Sequence, residues 1–276
     1  MKKLFQKIKD KYLSYARTHS FVCDACGKEL FFYPMERLCV ECETALYKND
    51  GNVCKKCGRK TVTEGVCLTC KTKTPAFTVG VSPFVYRGST AALVNRMKNG
   101  NRRLPMYFGE RIADYFLARY KGLKEEFAID RYETNEIEPL YMIPVPLTQE
   151  RLRERGYNQA EELSYNVERR LQAQGVAAQT CVDVLERKGN DDVQKHLDFK
   201  EREDHAKAVY HLHKRAFCKG KTLLLIDDIL TTGATASACA QLLLNAGAKA
   251  VYVLTAAAAL EHENAARITE VDLSKF

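Results

Sequence analysis

Two adjacent carboxylates and a run of small hydroxylated residues stand directly after an apolar stretch in the carboxyl half of the chain. The stretch from Leu223 to Ile226 is apolar at every position, as expected of a strand buried on both faces of a parallel sheet. Asp227 and Asp228 follow it. At the end of a strand, two carboxylates can accept hydrogen bonds from a vicinal diol or approach a hard cation.

The residues that follow have the composition of an anion-binding turn, with the sequence Thr231, Thr232, Gly233, Ala234 and Thr235. Small residues let backbone N–H groups converge on a phosphate, and the hydroxyls donate alongside them. A helix is predicted to begin near Ala234 and to end before Gly247, so that its positive N-terminal end points at the same anion. The segment therefore predicts a pocket for a sugar phosphate.

The whole pattern resembles the 5-phosphoribosyl-1-pyrophosphate (PRPP) signature of type I phosphoribosyltransferases, which has four apolar residues, two acids and Thr-Thr-Gly-x-Thr. The resemblance implies that Asp227 and Asp228 contact the ribose hydroxyls near a Mg²⁺ ion, which would bridge ribose and pyrophosphate oxygens. It also implies that residues 231–235 hold the 5′-phosphate. An ordinary buried strand that ends in a polar turn is the alternative.

A second candidate anion site lies between a predicted strand, Met142 to Pro146, and a predicted helix capped by Asn158. The predicted loop between them carries three arginines and a glycine: Arg151, Arg153, Arg155 and Gly156. Guanidinium groups bind phosphate oxygens in a bidentate manner, and the helix N-terminus adds partial positive charge. The spacing predicts a pyrophosphate site, with a solvated basic loop as the alternative.

The first quarter of the chain contains eight cysteines in four Cys-x-x-Cys pairs, which are Cys23/Cys26, Cys39/Cys42, Cys54/Cys57 and Cys67/Cys70. Each pair can offer two thiolates to a tetrahedral zinc ion. The basic N-terminus has no uninterrupted apolar run of the kind found in signal peptides, so zinc is favoured over disulfides. If two successive pairs bind one ion together, the chain forms two zinc ribbons, each with one structural zinc ion. An arrangement in which the pairs of the two sites are interleaved stays open.

Composition and length predict three segments: a basic amphipathic segment 1–20, a zinc-binding module 21–74 and an α/β domain 75–276. Strands are predicted near 141–146, 181–185, 222–227 and 249–255, in the alternating order typical of a parallel sheet with flanking helices. Residues 1–20 either touch a membrane or nucleic acid or, as is favoured, pack as a helix on their own domain. No apolar run reaches transmembrane length, so a soluble protein that reaches membranes only through partners is expected. The use of cysteine for metal binding predicts a cytoplasmic location.

Several further motifs resemble those of the ComF family, zinc-ribbon proteins with a phosphoribosyltransferase-like domain that are associated with competence and DNA uptake. They are Pro144-Val145-Pro146, Arg155-Gly156-Tyr157-Asn158-Gln159-Ala160, the run from Tyr86-Arg87-Gly88 through Lys98 and Gly100, and the four cysteine pairs. The resemblance extends from about Cys23 to Thr255. It implies a type I phosphoribosyltransferase-like fold, PRPP as ligand and other competence proteins as partners.

One segment departs from the family pattern. Members usually carry Arg-x-x-x-Thr-x-x-Gln and a later Arg-x-x-Asn-Val, whereas this chain lacks the threonine and the asparagine and carries Asp191 and Asp192 instead. Arg187 and Gln194 are the remaining candidates for a mobile segment at the site.

Two functions fit these motifs. The first is Mg²⁺-dependent transfer of phosphoribose from PRPP to an acceptor that the sequence does not identify, within a role in competence. No residue is marked as the general base, so the sequence leaves open whether catalysis is retained.

The alternative is a non-catalytic protein that handles single-stranded DNA and whose PRPP pocket is regulatory or vestigial. The net charge of +8 permits nucleic acid without demanding it. Four basic residues, Arg96, Lys98, Arg102 and Arg103, precede the aromatic residues Tyr107 and Phe108. Proteins that bind single strands usually combine cations along the phosphates with aromatic rings that stack on the bases. The alternative interpretation is that these basic residues form a solvated helix edge.

Overall fold

The computed structural model describes residues 22–31, 37–122, 138–188 and 208–260. The chain forms two compact units, which divide between Leu46 and Tyr47. The predicted helix of residues 1–20 and the candidate Gln194 lie outside the described residues. The domain boundaries drawn from the sequence stay predictions.

The strands of the described residues, in chain order, are β1 (Val79–Val81), β2 (Phe84–Val85), β3 (Leu140–Pro144), β4 (Ala178–Thr180), β5 (Leu185–Arg187), β6 (Tyr210–Leu212), β7 (Thr222–Leu230) and β8 (Ala250–Ala258). Six of them form one sheet in the order β1-β8-β7-β3-β4, with β2 also beside β8. Every pairing in this sheet is parallel. The strands β5 and β6 form a separate antiparallel pair. The predicted α/β class with a parallel sheet is confirmed.

The helices are α1 (Val40–Thr44), α2 (Leu68–Thr72), α3 (Gly88–Lys98), α4 (Leu104–Arg119), α5 (Gln149–Arg155), α6 (Gln159–Ala173) and α7 (Ala234–Asn245), with a short 3₁₀ turn at Arg215–Cys218. Helix α6 shows how the sequence produces this packing. Leu163, Val167 and Leu171 recur every four residues and are fully buried, so one apolar stripe of the helix faces the sheet. The opposite face carries its charged residues.

The core strand β7 lies between β3 and β8, and this position explains its sequence. Leu223 to Ile226 are fully buried because helices cover both faces of the parallel sheet. In register, Leu224 pairs with Met142 on one side and with Tyr252 on the other. The prediction of a strand buried on both faces of a parallel sheet is therefore confirmed.

One predicted strand is wrong. Residues 181–184 form a turn between β4 and β5, where a strand over 181–185 was expected. The chain changes sheets here: Ala178, just before the run, is buried in the main sheet, whereas Val184 and Leu185 at its end are buried with the antiparallel pair. Val182 between them is exposed. A short apolar run cannot show that the chain changes sheets within it.

None of the helices in the described residues has both the length and the apolar character needed to cross a bilayer.

Candidate functional site

The two aspartates lie where β3 ends and β7 continues. The ladder between these strands stops at the pair Pro144 and Ile226, with a last bond from the Val145 N–H to the Ile226 carbonyl at 2.9 Å. Strand β7 runs on to Leu230, paired only with β8, so the predicted end at residue 227 was three residues short. The space that β3 vacates is a cavity of about 200 Å³. It is lined by groups that bind phosphate and cations: Asp227, Asp228, Thr231, Gly233, Thr235, Arg151, Arg155, Arg187, Lys98 and Gln159.

Asp228 is the more firmly held of the two carboxylates. It is buried, its Oδ2 accepts a hydrogen bond from Gln159 Nε2 at 2.7 Å, and its Oδ1 lies 3.3 Å from Lys98 Nζ. A buried carboxylate needs such partners, because burial without them would favour the neutral form. Asp228 is therefore an oriented acceptor that lines the cavity.

Asp227 is in a different electrostatic state. Its Oδ1 accepts the backbone N–H of Asp228 at 2.8 Å. Burial raises the pKa of Asp227 to about 7, the charge of Asp228 adds to the rise, and Lys98 and Arg155 oppose it. Two carboxylates placed side by side resist joint ionisation, and a cation beside them would favour the doubly ionised state. This pair can accept ribose hydroxyls and can hold a divalent cation.

The turn after β7 has the geometry of an anion site. Gly233 has φ 85°, a left-handed conformation that glycine adopts without strain, and α7 begins at the next residue as predicted. The Ala234 N–H donates to Thr232 Oγ1 at 3.3 Å and the Ser237 N–H donates to the Gly233 carbonyl at 2.8 Å. The amides between them, in the first turn of the helix, can bind an anion. Thr231, Gly233 and Thr235 line the cavity, whereas Thr232 and Ala234 line a smaller cavity of about 60 Å³.

The predicted pyrophosphate arginines lie on a helix and not in a loop. Thr148 caps α5 by accepting the Arg151 N–H at 3.2 Å, and Gly156, with φ 73°, ends it. Arg151 and Arg155 are one turn apart and line the cavity. Arg153 lies two positions from each, on another side of the helix, and does not line it. Gly156 likewise does not line the cavity; its carbonyl accepts Arg102 at 2.6 Å.

The antiparallel pair β5–β6 brings Arg187, which the sequence named as a candidate site residue, to the same cavity. Its guanidinium lies 5.5 Å from the ring centroid of Tyr210, a buried residue on β6 that also lines the cavity. Burial raises the pKa of Tyr210, so its hydroxyl stays protonated and can donate. Sequence reasoning missed Tyr210, because nothing in the local pattern links it to a cavity formed by other elements.

Lys98 and Gln159 were also missed as residues of this cavity. Lys98 was assigned to a nucleic-acid strip, and the structure places it against Asp228. Gln159 belongs to the Gly-Tyr-Asn-Gln run, and its position just after the cap residue Asn158 was the signal that could have found it. The Asn158 side chain accepts the Ala160 N–H at 3.0 Å, so the predicted cap is confirmed.

The predicted aromatic part of the nucleic-acid strip is wrong. Tyr107 and Phe108 are buried, with ring centroids 5.3 Å apart, and both rings contact Phe84. Their positions on α4 face the sheet, so neither ring can stack on a base. Arg102 lies over the Tyr157 ring at 5.0 Å and donates to Gly156. Arg96 and Arg103 stay candidates for phosphate contacts.

The eight cysteines of the amino half form two clusters. In each, the four sulfurs lie within 4.8 Å of one another: Cys23, Cys26, Cys39 and Cys42 in the first, and Cys54, Cys57, Cys67 and Cys70 in the second. This is the sequential grouping, not the interleaved one. Backbone N–H groups donate to the sulfurs, for example Cys39 to Cys23 at 3.2 Å and Cys67 to Cys54 at 3.3 Å. Four such thiolates match the ligand set of structural zinc, so each cluster could bind one ion.

Comparison with known proteins agrees with this geometry. A family model described as the phosphoribosyl transferase domain matches residues 155–275. Competence protein ComFC of Bacillus subtilis (strain 168) is 26% identical over 248 residues, which cover 83% of this chain and 91% of that protein. DNA utilization protein YhgH of Escherichia coli (strain K12) is 27% identical over 217 residues, covering 78% of this chain and 88% of that protein.

Competence protein F of Haemophilus influenzae is 31% identical over 127 residues, covering 45% of this chain and 53% of that protein. A solved chain described as a glutamic acid mutant of an invariant aspartic acid in HPRTs is similar with a TM-score of 0.35 at 14% identity, over 58% of this chain and 79% of that one. A likeness of that size contributes nothing to the assignment. The curated relatives, the matched domain and the motifs together support a ComF-family protein, with a phosphoribosyltransferase-like domain that follows the cysteine pairs in the chain.

Proposed function

We propose that this protein binds PRPP together with Mg²⁺ in the cavity at the carboxyl ends of β3 and β7. The observation that carries the proposal is that three separate elements supply complementary groups to one cavity. The turn before α7 supplies an anion site, β7 supplies two carboxylates, and α5 supplies two guanidinium groups. A ligand with a phosphate, a diol and a pyrophosphate would satisfy all three.

The arrangement orients such a ligand in one direction. The 5′-phosphate would lie at Gly233 and Thr235, where the amides and the dipole of α7 favour negative charge. The ribose hydroxyls would donate to Asp227 and Asp228, and the pyrophosphate would extend towards Arg151 and Arg155. Binding of the remote phosphate would help to hold C1 of the ribose in line for displacement.

Transfer of the phosphoribosyl group follows from this orientation. The bond from C1 to the pyrophosphate oxygen breaks while a bond from C1 to an acceptor nucleophile forms, and negative charge develops on the departing pyrophosphate. Arg151 and Arg155 would offset that charge, which is the kind of preorganised stabilisation that lowers barriers most. Mg²⁺, when bound, would neutralise further charge on the pyrophosphate oxygens. The acceptor is not defined by the described residues.

The names of the relatives support a role in DNA uptake or DNA use, which we include in the proposal. We also propose that the two cysteine clusters hold structural zinc ions. Thiolate ligands persist in a reducing compartment, which supports a cytoplasmic location. Other competence proteins are the proposed partners.

Calorimetric titration of the zinc-loaded chain with PRPP and Mg²⁺ tests the proposal. Micromolar binding, about −8 kcal/mol, is expected, and Asp227→Ala with Asp228→Ala should remove it. Arg153→Ala is the matched control, because this arginine lies on α5 but off the cavity. Absence of binding by a folded, zinc-loaded wild-type chain would remove PRPP from the proposal and leave the non-catalytic DNA-handling function in first place.

A further inference from the structure

A buried arginine lies directly behind the turn that the proposed function assigns to the 5′-phosphate. Arg59 is 5% exposed, and its Nη2 donates to the backbone carbonyl of Thr231. Its Nε has no hydrogen-bond partner, and no carboxylate pairs with the guanidinium, within the part of the chain that the structure describes. A buried cation in this situation is costly unless another negative group faces it.

The second cysteine cluster, from which Arg59 extends, would supply that negative group once it holds a metal ion. Arg59 stands two residues after Cys57, and its carbonyl accepts the Cys54 N–H at 2.8 Å. Arg59 lines one small cavity of about 60 Å³ together with Cys57 and Cys70 of the cluster and with Thr232, Gly233 and Ala234 of the turn. Four thiolates around Zn²⁺ carry a net charge of −2, so a metal-loaded cluster would be the counter-charge of this guanidinium.

The cluster is held rigidly on the sheet by a close backbone contact. A Cβ atom placed on Gly58 would lie 2.1 Å from the Gly80 carbonyl oxygen, and one placed on Gly80 would lie 2.4 Å from the Cys57 carbonyl oxygen. Only glycine fits at both positions. The Gly80 N–H also donates to the Lys56 carbonyl at 2.8 Å, so the cysteine knuckle and β1 form one rigid body.

The chain beyond the cluster holds the other side of the same turn. The Ala76 N–H donates to Ser237 Oγ, in the first turn of α7, at 3.0 Å. Gly233 also lies close to Arg59: a Cβ atom placed on Gly233 would be 3.9 Å from Arg59 Nη2. The second cluster therefore contacts the turn through Arg59 and Thr231, and the segment that follows the cluster contacts the first turn of α7 through Ala76 and Ser237.

We infer that Arg59 is a positioning residue that couples metal binding at the second cysteine cluster to phosphate binding by the turn at Thr231–Thr235. With metal bound, the knuckle fixes Arg59, and Arg59 fixes the Thr231 carbonyl so that the amides after it point into the cavity. Without metal, the four sulfurs are no longer bridged, and the knuckle loses the geometry that aims Arg59. This inference rests on the proposed function.

Coupling of this kind is reciprocal, because a ligand that requires the ordered turn must also favour the metal-loaded cluster that orders it. PRPP should therefore slow loss of one of the two zinc ions. The measurement uses the full chain loaded with two zinc ions, a zinc-selective chromogenic chelator, and saturating PRPP with Mg²⁺ or Mg²⁺ alone. In the wild type, we expect PRPP to slow release of one ion by about tenfold.

Arg59→Met removes the charge and the donors while keeping the length of the side chain. We expect this variant to bind PRPP about tenfold more weakly than the wild type. We also expect that PRPP no longer slows the release of zinc from it. Lys60→Met is the matched control: Lys60 is the next residue, but it points outward to Asp50 at 2.8 Å, so its loss should change neither quantity. Binding of two zinc ions per chain reports that each variant is folded.

The outcomes separate the inference from the proposed function. A wild-type chain that binds no PRPP overturns both. A wild type that binds PRPP, beside an Arg59→Met chain with the same affinity and the same zinc release, overturns the coupling alone. If Arg59→Met fails to hold two zinc ions, Arg59→Gln replaces it, and equal affinity and protection in that variant overturn the coupling in the same way.

Discussion

Lys98 and Asp228 form an ion pair across the floor of the cavity, with Lys98 Nζ 3.3 Å from Asp228 Oδ1. The two residues come from α3 and β7, which are far apart in the chain. Burial and the charge of Asp228 raise the pKa of Asp227, and the Lys98 charge opposes that rise. Lys98 therefore adjusts the charge of the whole carboxylate pair.

Replacement of this lysine should change the pH dependence of ligand binding. In Lys98→Met, the pKa of Asp227 should rise further, because one of the cations that lowers it is gone. The pH at which PRPP affinity reaches half its maximum should move upward, as measured by calorimetric titration across the neutral range. Arg96→Met, on the same helix but off the cavity, is the control, and an unchanged midpoint in Lys98→Met would contradict the assigned role.

Asp227 should make PRPP binding stronger as the pH rises through about 7, because the ionised form accepts hydroxyls and cations. The stability of the ligand-free protein has the opposite dependence on pH. A carboxyl with a raised folded-state pKa stabilises the fold below its unfolded pKa, and this contribution is lost as the pH rises through about 7.

Asp227→Asn should therefore raise the melting temperature of the empty protein at about pH 8 and change it little at about pH 4, since a neutral amide carries no charge to desolvate. The same variant should bind PRPP weakly at every pH. Thermal melts at the two pH values check the first statement and titrations check the second. A melting temperature that falls equally at both pH values would show that the amide disrupts packing instead.

The loss of PRPP affinity on replacing each arginine of α5 should depend on the helix face that the arginine occupies. Arg151→Ala and Arg155→Ala should each weaken PRPP binding by about 10- to 100-fold, the range of a charge-assisted hydrogen bond, whereas Arg153→Ala should leave it unchanged. The loss should be smaller for ribose 5-phosphate, which has no pyrophosphate to contact. Equal losses for all three arginines would indicate general attraction of an anion by a basic helix.

The basic residues before α4 should bind single-stranded DNA only through its phosphates, because Tyr107 and Phe108 are buried. Arg96→Ala with Arg103→Ala should reduce the salt slope of the affinity by about 0.7 for each lost phosphate contact, without changing base preference. Fluorescence anisotropy with labelled oligonucleotides at several salt concentrations gives the slope. An unchanged slope removes these residues from the DNA-handling alternative.

Local sequence was sufficient for the parts of the site that one segment builds. Strand β7, the aspartates, the turn at Gly233 and the start of α7 follow one another in the chain, so composition and order alone predict their geometry. The cysteine pairs are similar, because a two-residue gap brings two sulfurs together whatever the rest of the fold does. The helix cap at Asn158 also depends only on neighbouring residues.

Positions that depend on where other elements pack could not be read from the chain in the same way. The pattern around Tyr107 is basic and aromatic, and only the packing of α4 on the sheet shows that the rings are buried. In the sequence, Arg153 looks equivalent to Arg151 and Arg155. The helix places it on a different face, away from the cavity.

The amino-acid sequence by itself determined the chemistry available to this protein: an anion-binding turn, a carboxylate pair, guanidinium groups and two thiolate clusters. The tertiary structure decided which of these groups meet. Lys98 reaches Asp228, and Arg59 reaches Thr231, across 130 and 172 residues of chain respectively. The physical reason is that contacts between distant segments depend on the packing of whole helices and strands against a shared core, and local propensity carries no information about that packing.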